Sequence, residues 1–596
     1  MAGIDEQTKR RFKRRLRRRQ KDALVLSQQA DQQIENLLIR RFDRLMSVRR
    51  FVLLWTSLLL ILIFSSIFQA KNLSSYYQSL QPVPGGLYTE GIIGNYTNAN
   101  PLYATGAADT AVSRLVFSGL FKYDADNKLV GDLAKDYKLS PSQTRYTIHL
   151  KQDLKWQDDY PITAADVVFT YKTIQNIESQ SPLYSSWQGI KVSKLDDYTV
   201  NFDLPNALSA FPYSLTNGII PEHILRDIPA EQLRSAPFNT QPVGSGPFEW
   251  KFVEVTGNTP EDRQQRISLA ANKLYQGGRP KLDGYNLITF SGEQAMIDSF
   301  KNKQISAMSG LENIPSDLAT EKDISIYNTP LTTSVMTFFN NSHSPLDDAN
   351  VRRALILGTN RGKLASLFDE PVRLSDSPLL SGQLGYDKTL VEPSYNFDVA
   401  NQTLDQAGWT KGADGLRSKN GKPLTFILSA QDSSNYSKAA QFLLQSWTKL
   451  GVKVQVSYFS RDELQGSVIA NHDYDALLYG ISIGVDPDVY AYWDSSQAAI
   501  TSQGHLNLSE YKSAAADQAI EGGRTRSDPA IRAVKYKAFL IQWTKDLPAM
   551  PLYQPNFLYI TRGQVFNYER KSANAPADMY YDANLWMVRQ KRQNIN

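Results

Sequence analysis

The residues able to carry chemistry are few and scattered. Five histidines, at positions 149, 223, 343, 472 and 505, lack the spacing of a ligand set, so no metal site is expected. Two acidic pairs stand out, Asp158-Asp159 and Asp347-Asp348. Paired carboxylates can divide acid and base work across a scissile bond. The first pair, however, belongs to the turn-like Gln157-Asp158-Asp159. The second stands where a helix starts, a position at which an acid caps free N–H groups. Gly244-Ser245-Gly246 lacks the G-x-S-x-G elbow that presents a nucleophilic serine. Cysteine is absent from the chain, which excludes a thiolate site, a cysteine nucleophile, a disulfide scaffold and a thioether lipid anchor. Nucleophile, base and orienting group never form a set, so neither catalysis nor a cofactor is expected.

The elements that hold these residues are legible in part. Between residues 131 and 174, Tyr146, Ile148 and Leu150 alternate with Arg145, Thr147 and His149, the period of a half-buried strand. A turn follows, and then Thr163 with Asp166 three residues on, which predicts a capping box. Val167, Val168, Tyr171 and Ile174 give the capped helix one apolar face. At 596 residues the chain exceeds what one hydrophobic core supports, so two or more lobes are expected.

Charge divides the chain. Residues 1–50 hold 15 Lys/Arg and 6 Asp/Glu, a net +9, whereas the rest hold 50 and 54, a net −4. A body that bound nucleic acid would show the opposite distribution, so no nucleic-acid partner is expected. Residues 51–68, FVLLWTSLLLILIFSSIF, contain neither charge nor proline. As a helix they span about 27 Å, near the hydrocarbon thickness of a bilayer. Arg49 and Arg50 precede them and Lys71 follows, which predicts a cytoplasmic head and an external body. A buried core helix would need a polar face. A cleaved signal peptide would need a shorter leader and a small residue in place of Phe68. A retained single-pass anchor is the reading adopted. The basic cluster at 10–19 suits anionic lipid headgroups, with a nucleic-acid or protein partner as the alternative. Ile34, Leu37, Leu38, Phe42 and Leu45 recur at helical spacing, as in an amphipathic helix on the inner leaflet. Residues 70–85 read as a short stalk.

The stretch 131–174 also resembles the hallmark segment of the family 5 extracellular solute-binding proteins, which include dipeptide- and oligopeptide-binding proteins. Leu133-Ala134, Ser140, Tyr146-Thr147, Leu150-Lys151, Leu154-Lys155-Trp156, Asp158, Pro161, Thr163-Ala164 and Asp166-Val167-Val168-Phe169 match its pattern in order. Further matches follow in family order: Asn100-Pro101-Leu102, Gly119-Leu120-Phe121, Pro221-Glu222-His223-Ile224-Leu225 and Pro242-Val243-Gly244-Ser245-Gly246-Pro247-Phe248. Gly277-Gly278-Arg279-Pro280-Lys281-Leu282-Asp283, Val351-Arg352-Arg353-Ala354, Asp486-Pro487-Asp488 and Pro548-Ala549-Met550-Pro551-Leu552-Tyr553 complete the series.

The resemblance implies an α/β, two-lobe periplasmic-binding-protein-like fold with an extra subdomain, here preceded by one transmembrane helix. Mapped onto this chain, residues 1–50 are the head, 51–69 the anchor and 70–85 the stalk. Lobe I takes 86–125, 240–338 and 550–596, the extra subdomain 126–239, and lobe II 339–549. The crossings are expected at 338–340 and 548–553. The implied function is capture of short peptides by hinge closure and delivery to an ABC permease. Its ATPase would be a separate protein, since no P-loop occurs here. By position, Asn95, Asn340 and Ser482 are expected to hydrogen-bond ligand main chain. Tyr96, Tyr184, Trp187, Tyr479 and Tyr490 are expected to line the cleft. One departure matters. Peptide binders of the family often carry "GWxADYPDP", whose first Asp pairs with the peptide amine. Here Gly480-Ile481-Ser482-Ile483-Gly484-Val485-Asp486 places Gly484 at that position. Asp486 either substitutes or begins the Asp-Pro-Asp turn. The departure gives weight to a blocked or non-peptide ligand, such as a nickel complex or a sugar. A sensor signalling through the head and a cell-wall peptide hydrolase are the remaining alternatives.

Overall fold

A computed structural model describes residues 6–34, 48–259, 262–502, 504 and 506–594. The chain divides into two compact units, 1–81 with 590–596, and 82–589.

In the first unit, the helix Glu6–Ile34 carries the basic cluster, and the side chains of residues 13–19 are exposed. Residues 35–47 lie outside the described residues, and with them most of the amphipathic pattern that ends at Leu45. The second helix, Arg49–Tyr77, contains Arg50–Lys71, a segment long and apolar enough to cross a membrane. The helix outlasts the apolar run because nothing from Gln69 to Tyr77 breaks it: no Pro or Gly occurs there. The segment read as a stalk is thus helix through Tyr77 and then the strand Gln78–Val83, which pairs with Arg589–Asn594.

The second unit is built around its three largest sheets, with two small ones of three and two strands beside them. The largest has seven strands, in the order Ile324–Pro330, Asn556–Arg562, Ala307–Ser309, Leu87–Ile93, Gly284–Phe290, Gln264–Ala271 and Phe248–Thr256. Both of its faces are covered. Tyr88, Tyr285, Leu287 and Tyr559 fill the core on one side, while Ile288, Phe290 and Ile560 pack with Met296 and Phe300 on the other. A six-stranded sheet follows, in the order Arg373–Leu374, Ala549–Gln554, Thr333–Phe339, Ala476–Ser482, Thr425–Gln431 and Lys453–Phe459, with its own core around Phe338, Trp447, Trp493 and Trp543. The four-stranded sheet Ala134–Leu139, Arg145–Leu150, Thr199–Asp203, Lys191–Asp196 shares the core of the first.

The chain passes between the two large sheets twice, through residues 331–332 and through Pro555. The crossings expected at 338–340 and 548–553 are corrected by this topology. Thr333–Phe339 is a central strand of the second sheet, paired on one side with Ala476–Ser482 and on the other with Ala549–Gln554. Its run of buried side chains, from Ser334 to Phe339, is what a strand covered on both faces requires.

The expected strand and helix of the 131–174 stretch are both present. Tyr146, Ile148 and Leu150 point into the core of Arg145–Leu150. Thr163 caps Ala164–Ile174 by accepting from Ala165 N at 3.2 Å, and Asp166 returns by accepting from Thr163 N at 2.8 Å. The other Asp166 oxygen accepts from Glu222 N at 3.0 Å, so one carboxylate ties the helix start to the next loop. Gly244 and Gly246 are places of close backbone approach: a Cβ there would lie 2.0 Å from Val116 O and 2.6 Å from Val116 C.

Candidate interlobe ligand site

Three of the four acids that sequence spacing singled out, Asp158, Asp159 and Asp348, do structural work. Asp158 accepts from Tyr160 N and faces His223 Nε2 at 2.8 Å, and Asp159 adopts the left-handed φ of +71° that closes the turn. Asp348 caps the helix Ala349–Leu357 through Asn350 N at 2.8 Å. His149, His343 and His472 also face single carboxylates, Asp136, Asp475 and Glu510. His505 lies outside the described residues. No group of three or more potential metal ligands occurs among the described residues.

Two cavities have walls from both sides of the crossings. The first, of about 440 Å³, is lined by Lys128, Tyr137, Tyr146 and Tyr213 on one side and by Asp486 and Arg532 on the other. Beside it the two sides are already bonded: Ser209 N and Oγ both donate to Arg524 O at 3.0 Å, and Ser527 N donates to Gln143 Oε1 at 2.8 Å. The second cavity, of about 210 Å³, lies against the crossings between Glu312 and Asn328 of one side and Glu370 and Tyr436 of the other. Asn313 Nδ2 reaches Ser434 Oγ across it at 3.3 Å.

The Asp-Pro-Asp turn is held by two arginines of the last helices. Arg532 donates to Asp486 through Nη1 at 2.9 Å and Nη2 at 2.6 Å, both side chains being under a tenth exposed. Arg524 meets Asp488 at 3.2 Å and lies 4.2 Å above the Tyr490 ring. Burial pushes the Asp488 carboxyl up, and Arg524 opposes that shift. Burial likewise raises Tyr146 and Tyr213 in the first cavity, so both phenols stay neutral hydrogen-bonding groups.

The eight expected ligand residues are not brought together. Asp486 lines the first cavity, but its carboxylate is taken up by Arg532. Tyr96 is buried, stacked on Trp250 at 5.8 Å, with Gln265 bonded to its backbone N and O. Trp187 packs 4.2 Å from Tyr171 in the subdomain core. Asn340 is fully buried and donates to Tyr474 O. Tyr184 is half-buried in the short turn Tyr184–Trp187. Asn95 and Ser482 are exposed, and half-buried Tyr479 accepts from Gln465 Nε2 at 3.0 Å. Half-buried Tyr490 lies under the Arg524 guanidinium. Sequence reasoning missed Lys128, Tyr213 and Arg532 in the first cavity and Glu312, Glu370 and Tyr553 in the second. Only Tyr553 carried a signal, as the last residue of a matched motif.

A sequence profile of the bacterial extracellular solute-binding proteins, family 5 (Middle), matches residues 128–502. The oligopeptide-binding protein AppA of Bacillus subtilis is 29% identical over 506 residues, 82% of this chain and 90% of that one. The probable D,D-dipeptide-binding periplasmic protein DdpA of Escherichia coli is 25% identical over 508 residues, 81% and 92% of the two chains. Among solved structures, Bacillus subtilis AppA in complex with a nonapeptide aligns with a TM-score of 0.67 at 26% identity, over 85% of this chain and 100% of that one. NikZ from Campylobacter jejuni in complex with Ni(L-His) aligns with a TM-score of 0.70 at 23% identity, over 84% and 99%.

Proposed function

The chain belongs to family 5 of the bacterial extracellular solute-binding proteins, and we propose on that premise that it captures short peptides outside the membrane for an ABC importer. The fold is the two-lobe α/β architecture of periplasmic binding proteins. In this reading Arg50–Lys71 is a retained anchor, with the basic head cytoplasmic and resting on anionic lipid. Lobe I holds the seven-stranded sheet with the extra subdomain, and lobe II holds the six-stranded sheet. Closing the lobes encloses the ligand, and the closed form docks on a permease driven by a separate ATPase.

The observation that carries the proposal is the pair of cavities walled from both sides of just two crossings. Rotation about residues 331–332 and 555 opens both cavities at once. The lobes meet there through a few polar bonds, such as Ser209 to Arg524 and Gln143 to Ser527. Such bonds exchange readily with water, so opening costs little. Peptides are preferred as ligand because AppA and DdpA are named for peptide binding. Of the eight expected residues only Asp486 lines either cavity, with its carboxylate taken up by Arg532, so ligand contact by the other seven stays a proposal from their position in the sequence. No bond of the ligand is broken in this scheme.

Mass spectrometry of whatever co-purifies with the detergent-solubilised full chain tests the reading. A population of short peptides is the expected result. A stoichiometric metal complex or a sugar would overturn the peptide assignment.

A further inference from the structure

Enclosing a peptide means burying its charged amine, and a buried ammonium needs acceptors to offset lost hydration. Gly484, two residues before the Asp-Pro-Asp turn, has nothing within 4 Å of where its Cβ would be. The nearby Asp486 is neutralised by Arg532, and the first cavity also holds Lys128. That end of the crevice offers an amine no unpaired carboxylate.

The second cavity has the opposite character. Glu312 and Glu370 line it, and neither pairs with a Lys, Arg or His among the described residues, in contrast to neighbouring Asp369, which meets Lys438 at 3.1 Å. Tyr553 lines the same cavity at 3% exposure, and its hydroxyl makes no hydrogen bond among the described residues. Asn328 Nδ2 donates to Glu370 Oε2 at 3.2 Å and Asn556 Nδ2 to Pro371 O at 2.8 Å, which leaves both Oδ1 atoms buried without a donor among the described residues. Phe368, whose ring lies 4.5 Å from that of Tyr553, supplies an apolar wall. An ammonium has three N–H donors and no acceptor, which matches a site with acceptors left over.

Resting on the reading that the crevice takes peptides, we propose that the cavity between Glu312, Glu370 and Tyr553 is the subsite for the ligand's protonated primary amine. The amine is the peptide N-terminus or a lysine side chain. The carboxylates come from opposite lobes, so binding there also draws the lobes together.

The test uses the full chain in detergent with randomised pentapeptide pools of three kinds: free amine without lysine, N-acetylated without lysine, and N-acetylated with one lysine. Bound peptide is quantified by mass spectrometry. The wild type is expected to retain the free-amine pool about tenfold better than the blocked pool. Combining Glu312→Gln with Glu370→Gln brings that preference to about twofold or less, and Tyr553→Phe weakens it by about threefold. Unchanged retention of the blocked pool by the variants reports an intact crevice. If the lysine pool behaves like the free-amine pool, the subsite takes side chains as well; if it behaves like the blocked pool, the subsite is reserved for N-termini. Equal retention of free and blocked pools by the wild type, or a preference unchanged in the double variant, overturns the assignment and leaves peptide capture standing. Retention of no pool by the wild type ends the peptide reading and this assignment with it.

Discussion

Arg532 holds Asp486 with two hydrogen bonds where water scarcely reaches, and its Nε donates to Gly523 O at 2.9 Å. Removing one partner of such a pair strands the other charge. Arg532→Ala is therefore expected to cost about 3–5 kcal/mol, whereas replacing both residues with apolar side chains of similar volume costs far less. Urea unfolding of the two variants, compared with wild type, checks the difference. Glu392 presents the reverse case. It is fully buried, bonded to Arg361 Nη1, and its Oε1 finds no donor among the described residues. Burial pushes its carboxyl up from 4.5 to about 8, against the pull of Arg361. The native state then holds a proton that the unfolded chain releases. This contribution to stability is complete below about pH 4.5 and is lost as pH rises to about 8. Glu392→Gln is expected to flatten the decline in stability between pH 5 and pH 8, an effect on the order of a few kcal/mol. Denaturant midpoints across that range measure it; parallel wild-type and variant curves would refute the assignment. Neither pairing was legible in sequence, since 46 residues separate Asp486 from Arg532 and 31 separate Glu392 from Arg361.

Single elements were read more completely than single contacts. The alternation through Tyr146, Ile148 and Leu150 and the Thr163–Asp166 box depend on neighbours within a few residues, and the structure contains both. Thr163→Ala is expected to cost about 1 kcal/mol, the usual value of a lost N-cap. Asp166→Ala should cost more, because its carboxylate also holds Glu222 N at the next loop. Urea midpoints rank the two, and equal losses would argue that the Glu222 contact contributes nothing. The boundary between sheets was misplaced for a physical reason. Thr333–Phe339 and Ala549–Gln554 are apolar runs that suit either sheet, and their hydrogen-bonding partners are chosen by packing.

For the molecule as a whole, the proposed function rests on one segment, Arg50–Lys71, long and apolar enough to cross a membrane. Arginines in place of Ile61 and Ile63, mid-run, each cost about 2.5–3.5 kcal/mol on insertion. The wild type is expected to stay with membranes after an alkaline carbonate wash, and the double variant to appear substantially in the supernatant. Release of the wild type would remove the anchor from the proposed function. The amino-acid sequence by itself determined the apolar run, the split of charge, the capped helix and the family, because hydropathy, capping and motif order are properties of neighbouring residues. Where the crossings fall, which arginine neutralises Asp486, and which carboxylates remain unpaired between the lobes were decided only in the tertiary structure. Those features join residues tens to hundreds of positions apart, and chain packing alone brings them within hydrogen-bonding distance.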